Sequence, residues 1–360
     1  MLIQCTKKLL TELKVSPMPS EEGVPLFSWH ANILTVNRRK TLVLVNDSNR
    51  YIIVLHGLKA KDFKKIDELI LQAIRETYKE ESIRDEVIES YLSQSQVLTF
   101  TKTRDKTLVA RMNKACDNVY LFGEDLVQHS IYQVFLSKRA SRLIVGRGSN
   151  DYTRPNEDLY HDLEKLTGGP IFNSEAVTLS VTLELENVHV WRRIVVPKNY
   201  TFPDLHRALQ IVFGWKDYHL HEFLVLPEQK DNSKPIMNLV CHEEALNYES
   251  GIPMELETGV KLLDYLPAEI MYNYDFGDYW EHRIVVENHI DDYEFNYPTC
   301  IAGEGNAPPE DVGGDPGYET FLGIISDPAN PEYNHTKIWS ISQGYEDFDI
   351  DMINRRLKYW

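Results

Sequence analysis

Residues 177–215 read VTLSVTLELENVHVWRRIVVPKNYTFPDLHRALQIVFGW, and this stretch decides the fold class. Val177, Leu179, Val181, Leu183 and Leu185 alternate with Thr178, Ser180, Thr182, Glu184 and Glu186. Successive side chains of a strand point to opposite faces, so the pattern predicts a strand with one buried face. Residues 191–196 supply its hairpin partner, and Pro197 ends it because proline cannot donate to the ladder. Thr201 then N-caps a helix with Pro203 in its first turn, a buried stripe of Leu205, Ala208, Leu209 and Val212, and Gly214 as its stop. A hairpin followed at once by an amphipathic helix suits an α+β domain better than a wound parallel sheet.

Working outward, residues 219–226, 270–274 and 279–286 return to strand, and a Pro/Gly-rich loop over 307–317 precedes helices near 318–325 and 348–357. Towards the N-terminus, β-rich runs at 26–36, 41–45 and 51–55 are separated by polar turn clusters at 37–40 and 46–49, which predicts an antiparallel meander. Phe63, Ile66, Leu69, Ile70, Ala73, Ile74 and Thr77 recur at three- and four-residue spacing, the buried stripe of a helix packed on that meander. Helical stretches at 82–93 and 108–119 flank a β-like run at 97–101, and 131–136 adds one more element. Residues 146–155 are rich in turn formers and lead through a short helix at 157–166 to Gly168, Gly169 and Pro170. The expected domains are 1–165 and 171–360, joined between Asp151 and Pro170, each a mainly antiparallel sheet packed with helices in an α+β architecture.

The chain has 360 residues and a formal net charge of −17, unevenly distributed. Up to Lys165 the balance is +3, and the remainder carries −20. An acidic half repels a phosphate backbone, which argues against nucleic-acid binding by the C-terminal part. The N-terminal half holds basic clusters at Arg38, Arg39 and Lys40, at Lys59, Lys61, Lys64 and Lys65, and at Lys138, Arg139 and Arg142. Nucleic-acid contact is therefore an alternative for that half alone. Apolar runs such as 51–55 are strand-sized, far short of the ~20 residues that span a bilayer, so no membrane association is expected. Lysines in MLIQCTKKLLTELK interrupt what a secretory signal would need, and we read the protein as cytoplasmic. Cys5, Cys116, Cys241 and Cys300 lie far apart, which suggests reduced structural thiols.

Several ordered motifs carry a resemblance. VTLELENVHVWRRIVVPKNYTFPDLHRALQIVFGW, HLHEF from His219, YNYDFGDYWEHRIVVE from Tyr272 and APPEDVGGDPGYETFLGIISDP from Ala307 resemble the plasmid pRiA4b ORF-3-like family across about half the chain. The N-terminal part, with MLIQCTKKLL and FTKTRDKTLVARMN, is similar to a small bacterial domain of unknown function. The resemblance implies an α+β fold and a link to mobile elements, with no settled activity. Members often read CPPEDCGG where this chain has Ala307 and Val312, so two thiolates are absent here. The resolvase-like label given to some members implies a nucleophile amid clustered arginines. Neither recombinase arrangement is present, so the label reads as genomic association.

The sharpest chemical candidate is a histidine–carboxylate set. His219 and His221 are two apart on an expected strand and share a face, the turn Asp275-Phe276-Gly277-Asp278 could bring carboxylates to them, and His282 follows. A divalent transition metal is the cofactor that His219, His221, Asp278 and His282 would take, and an open position on it would activate water. The competing reading makes all three histidines core-edge residues held by hydrogen bonds, beside Phe223, Trp280 and Ile284. Asp275-Phe276-Gly277 lacks every companion of a kinase site and reads as a turn in which Asp275 or Asp278 bonds local backbone. Asp315 reads as a helix N-cap, and Glu310 and Asp311 as solvated.

The favoured expectation is a non-catalytic binding or adaptor protein that recognises a protein partner through a groove lined by Trp191, Trp215, Tyr274 and Trp280, since aromatic side chains give much contact area at low entropy cost. The alternatives are a metal-dependent hydrolase using the histidine–carboxylate set and a nucleic-acid binder acting through the N-terminal domain.

Overall fold

A computed structural model describes residues 1–19, 23–94, 97–148, 151–172, 174–227, 234–247 and 251–359. The chain divides into two units, Met1–Asn173 and Ser174–Trp360, and both are α+β. Among the described residues, no helix is long and apolar enough to cross a membrane.

In the first unit the meander consists of β2 (Ser28–Val36), β3 (Arg39–Asn46) and β4 (Ile52–Leu58), and it is preceded by β1 (Leu2–Cys5) and α1 (Lys7–Leu13). Val36 pairs with Arg39, so Asn37 and Arg38 form a two-residue turn, both with left-handed backbone at φ 48° and 62°. That geometry matches the twist of the strands it joins. The chain continues through α2 (Ile66–Glu80), α3 (Asp85–Ser93), β5 (Thr99–Lys102), α4 (Lys106–Leu121), α5 (Val134–Ser141), the hairpin β6 (Val145–Gly148) and β7 (Asp151–Thr153), and α6 (Pro155–Thr167). Residues 149 and 150 of the expected turn lie outside the described residues.

The sheet order is β4-β3-β2-β1-β5, antiparallel through the meander and parallel where β1 joins β2 and β5. Helices cover both faces. Ile3, Ile33, Leu42, Leu44, Ile53 and Leu55 pack with residues of α2, α3 and α6, while Val43, Val45, Ile52 and Val54 pack with Met112, Val119 and Leu136 from α4 and α5. Double burial explains why β3 and β4 read as continuous apolar runs instead of alternating. Glu81, just past α2, is buried and accepts hydrogen bonds from Arg142 (2.7 and 2.6 Å), Tyr51 (2.6 Å) and Tyr160 (2.9 Å). Burial works to raise its pKa, but Arg142 outweighs that and holds the carboxyl down at about 2.

The second unit contains β8 (Ser174–Leu183), β9 (Val190–Pro197), α7 (Phe202–Phe213), β10 (His221–Val225), β11 (Met237–Val240), β12 (Met254–Leu256), β13 (Ile270–Tyr274), β14 (Trp280–Tyr293), β15 (Thr299–Glu304), α8 (Gly314–Ser326), α9 (Tyr333–Gln343) and α10 (Ile350–Lys358). Its sheet runs β12-β11-β10-β13-β14-β8-β9-β15, antiparallel except between β11 and β12. Helix α7 begins in a capping box. Thr201 Oγ1 accepts from Asp204 N, and Asp204 Oδ2 accepts from Thr201 N at 2.9 Å. Gly214, at φ 76°, ends it in the left-handed conformation that glycine adopts freely. Its apolar face, with Phe202, Leu205, Leu209 and Val212, packs with Val181, Ile194, Phe223 and Ile270, and Ile353 and Leu357 of α10 join the same core.

Candidate functional site

β10 and β13 run antiparallel with His221 opposite Tyr274, so the chain entering β10 and the chain leaving β13 meet at one end of the sheet. There Asp275 N donates to Leu220 O at 3.0 Å, which closes the corner and sets Asp275 beside His219. Asp275 has left-handed backbone at φ 58°, and its Oδ1 accepts from Gly277 N at 2.8 Å. The expected local backbone bond is present, and Oδ2 is left facing His219 Nε2 at 3.5 Å.

The loop before α8 is drawn into the same corner. Trp215 Nε1 donates to Pro308 O (2.9 Å), and Gly313 N donates to Asp278 Oδ2 (3.0 Å). Gly314 sits at φ 68°, where a Cβ would lie 3.0 Å from Asp278 O, so this approach requires glycine. The loop delivers two acids. Glu310 is 1% exposed, and its Oε1 accepts from Lys216 N (2.8 Å) and Tyr274 OH (3.0 Å). Its Oε2 has no hydrogen-bond partner and lies 3.7 Å from His219 Nε2, while Asp311 Oδ1 lies 3.1 Å from the same nitrogen. None of the three approaches to His219 Nε2 has hydrogen-bond geometry.

The expectation that Glu310 is solvated is corrected here: two hydrogen bonds hold it inside the protein. Asp311 is exposed, as expected for that residue. The N-cap of α8 is Gly313, and Asp315 instead accepts from Glu186 N at 2.9 Å.

The donors of His219, Asp275 and Asp311 all lie within 4.8 Å of one another. Ligand atoms held at ~2.1 Å from an ion stand ~3.0 Å apart in octahedral and ~3.4 Å apart in tetrahedral geometry. The observed separations of 3.1, 3.5 and 3.7 Å from His219 Nε2 are of that size. One imidazole with the two carboxylate oxygens of Asp275 and Asp311 is a donor set for a borderline-to-hard divalent ion such as Mn²⁺, Fe²⁺ or Zn²⁺, and Glu310 Oε2 approaches the same imidazole.

His221 belongs to a different group. Its ring stacks on that of His206 at 3.5 Å between centroids, and its Nε2 meets Glu257 at 3.0 Å. His206 contacts Tyr272 OH (2.8 Å) through Nδ1 and Asp217 (2.9 Å) through Nε2. Burial, with His221 alongside, lowers the His206 pKa to about 4. For His221 burial is outweighed by Cys241 and Glu257, which raise its pKa to about 9. His219 and His221 part company because His219 precedes β10, so the pleat does not fix the two side chains to one face.

His282, opposite Tyr272, is fully buried. Its Nδ1 meets Tyr272 O at 3.1 Å, its ring abuts Phe213 and Trp215, and burial depresses its pKa to about 3. Asp278 clamps the loop through Gly313. The four residues expected to converge thus occupy three places, and of the three histidines only His219 meets Asp275, Glu310 and Asp311.

The aromatic set lies inward as well. Trp215, Tyr274 and Trp280 are buried at 7%, 0% and 1% exposure, with Trp215 stacked on Tyr274 at 4.9 Å, so they do not line a groove. Trp191 alone is half-buried, beneath the Arg193 guanidinium at 5.4 Å. In the first unit the basic clusters are partly neutralised: Lys40, Lys138, Arg139 and Arg142 pair with Glu12, Glu80, Asp125 and Glu81.

Comparison with known proteins finds two family matches. Residues 2–158 match a domain of unknown function (DUF6933), and residues 175–356 match the family described as plasmid pRiA4b ORF-3-like protein. The chain is 34% identical over 179 residues to the uncharacterized protein y4hQ of Sinorhizobium fredii (strain NBRC 101917 / NGR234), covering 48% of this chain and 84% of that protein. The crystal structure of a protein of unknown function, MM3350 from Methanosarcina mazei Go1, is similar with 36% identity and a TM-score of 0.41, over 49% of this chain and 94% of that one.

Proposed function

The chain belongs to the plasmid pRiA4b ORF-3-like family through its second unit, and for that unit we propose a divalent-metal-binding function centred on His219, Asp275 and Asp311, with Glu310 joining through its approach to His219. The observation that carries the reading is Glu310 Oε2, a buried carboxylate oxygen with no hydrogen-bond partner, turned towards an imidazole nitrogen that also has none. Leaving such atoms unsatisfied costs about 1–3 kcal/mol each, and more for charged groups. A cation coordinated by both would remove that cost, and it would also offset the repulsion between the neighbouring Asp275 and Asp311 carboxylates.

Asp311 is 59% exposed and His219 28%, so one side of the corner faces solvent. That exposure favours a second reading, hydrolytic chemistry, in which an ion with a water on its open side lowers the pKa of that water. A protein-binding adaptor role keeps support only at the half-exposed Trp191. Association with mobile elements is supported by the plasmid origin in the family's description.

The test is calorimetric titration of untagged, chelator-stripped protein with Mn²⁺ and Zn²⁺, beside Asp275→Asn. Saturable one-to-one binding that the substitution weakens is expected. No binding, or binding untouched by Asp275→Asn, would refute the reading.

A further inference from the structure

The first unit carries two neighbouring pockets of opposite character that share two lining residues. One, about 530 Å³, is lined by Arg50, Arg111, Arg147 and Lys165 together with Asp158 and Asp162. The other, about 460 Å³, shares Arg50 and Arg111 and is otherwise largely aliphatic, with Val45, Ile52, Ala110 and Leu143 in its wall. Arg50 and Arg111 line both.

The acids of the first compartment are already engaged. Asp158 accepts from Arg147 and from Thr153, and Asp162 accepts from Asn49 at 3.0 Å. Arg50 donates to Gly146 O at 2.7 Å, a neutral acceptor, and Arg111 has no hydrogen-bond or ion-pair partner among the described residues. Burial and the positive charges of Arg111 and Arg147 lower the pKa of Arg50, whereas Asp158 works against them. Positive charge therefore outweighs negative here, with Arg50, Arg111, Arg147 and Lys165 against Asp158 and Asp162, although guanidinium groups repel one another unless an anion lies among them. Arg50 also holds left-handed backbone at φ 64°, uncommon for a long side chain, fixed by its N–H on Asn46 O at 3.0 Å. The chain thus keeps an arginine where asparagine or glycine would be less strained.

We propose that this pair of pockets binds an organic anion, with an aliphatic body in the compartment walled by Val45, Ile52, Ala110 and Leu143 and a phosphate or carboxylate head held by Arg50 and Arg111. Guanidinium forks match both head groups, and neither compartment alone would suit such a molecule. The inference is independent of the metal site, which lies in the other unit.

The experiment is calorimetric titration of the full chain with octyl phosphate, octanoate, octanol and inorganic phosphate. Both octyl anions are expected to bind about tenfold or more tightly than octanol and than inorganic phosphate. The tighter of the two anions identifies the head group. Arg111→Gln, at a half-exposed position without a partner, should reduce octyl-anion affinity to that of octanol. Ala110→Trp, on the exposed face of α4, should fill the apolar compartment and reduce it to that of inorganic phosphate. Octanol binding as well as the anions, inorganic phosphate binding as well as octyl phosphate, indifference to both substitutions, or no binding by any of the four up to ~10 mM would each overturn the proposal.

Discussion

Glu310 Oε2 lies 3.7 Å from His219 Nε2, and neither atom has a hydrogen-bond partner. The contact joins a loop residue to one nearly a hundred positions earlier, and it exists because Lys216 N and Tyr274 OH fix the other oxygen of the same carboxylate. A carboxylate oriented by two donors cannot swing away to find a better partner. It stays aimed at the imidazole, as a metal ligand with a fixed second oxygen would.

Glu310→Gln should have effects of opposite sign with and without metal. Glutamine Oε1 can keep both hydrogen bonds, and removing an unpaired buried negative charge should leave the metal-free protein unchanged or stabilise it by up to about 1 kcal/mol. Affinity for Mn²⁺ should fall tenfold or more, since loss of an outer-shell partner alone costs about 10–100-fold. Thermal melts in chelator and in Mn²⁺ check both halves.

His282→Ala should cost about 1–3 kcal/mol at pH 7, with or without metal, because the side chain is buried and bonded to Tyr272 O. The gap between wild type and variant should narrow in acid. His282 has its folded pKa lowered to about 3 from 6.5, so below 6.5 the unfolded chain takes a proton that the folded one refuses. Stability from this group is complete above pH 6.5 and falls as pH drops towards 3, by an amount on the order of 5 kcal/mol. Urea midpoints of both proteins at pH 7 and pH 5 measure the narrowing.

Glu81→Ala should destabilise the first unit by about 3–5 kcal/mol, since it strands Arg142 and two tyrosine hydroxyls. The carboxyl is depressed from 4.5 to about 2 in the folded state, so its contribution is present above pH 4.5 and is lost as pH falls through about 2. Denaturant unfolding followed by Trp29, buried in that unit, would report it.

Limited proteolysis should cut between the end of α6 at Thr167 and the start of β8 at Ser174, giving two folded fragments of charge +3 and −20. Cooperative resistance of the whole chain, or fragments that unfold on release, would count against separable domains.

Much of the fold was legible. The alternation of β8, the Thr201 cap and Gly214 stop of α7, and the α2 stripe are local patterns that tertiary packing reinforces. Others left little trace. LIQC in β1 is four residues long and paired in parallel to strands far off in sequence, and α9 buries only Ser340, so it has no apolar stripe to recognise. In the site, His219 and the Asp275 turn were legible because they flank strands. Glu310 was not, since its burial depends on Trp215 and Asp278 drawing in a loop that by composition belongs in water. His206 sits on the buried face of α7, beside Leu205 and Leu209, but a histidine there carries no sign that it will stack on His221.

The most direct measurement is an anomalous difference map from a crystal of the full chain soaked in Mn²⁺. The proposed site predicts a peak ~2.0–2.2 Å from His219 Nε2, with Asp275, Glu310 and Asp311 oxygens completing the protein ligands. A map without density at that corner, or with its peak between His206 and His221, would contradict it.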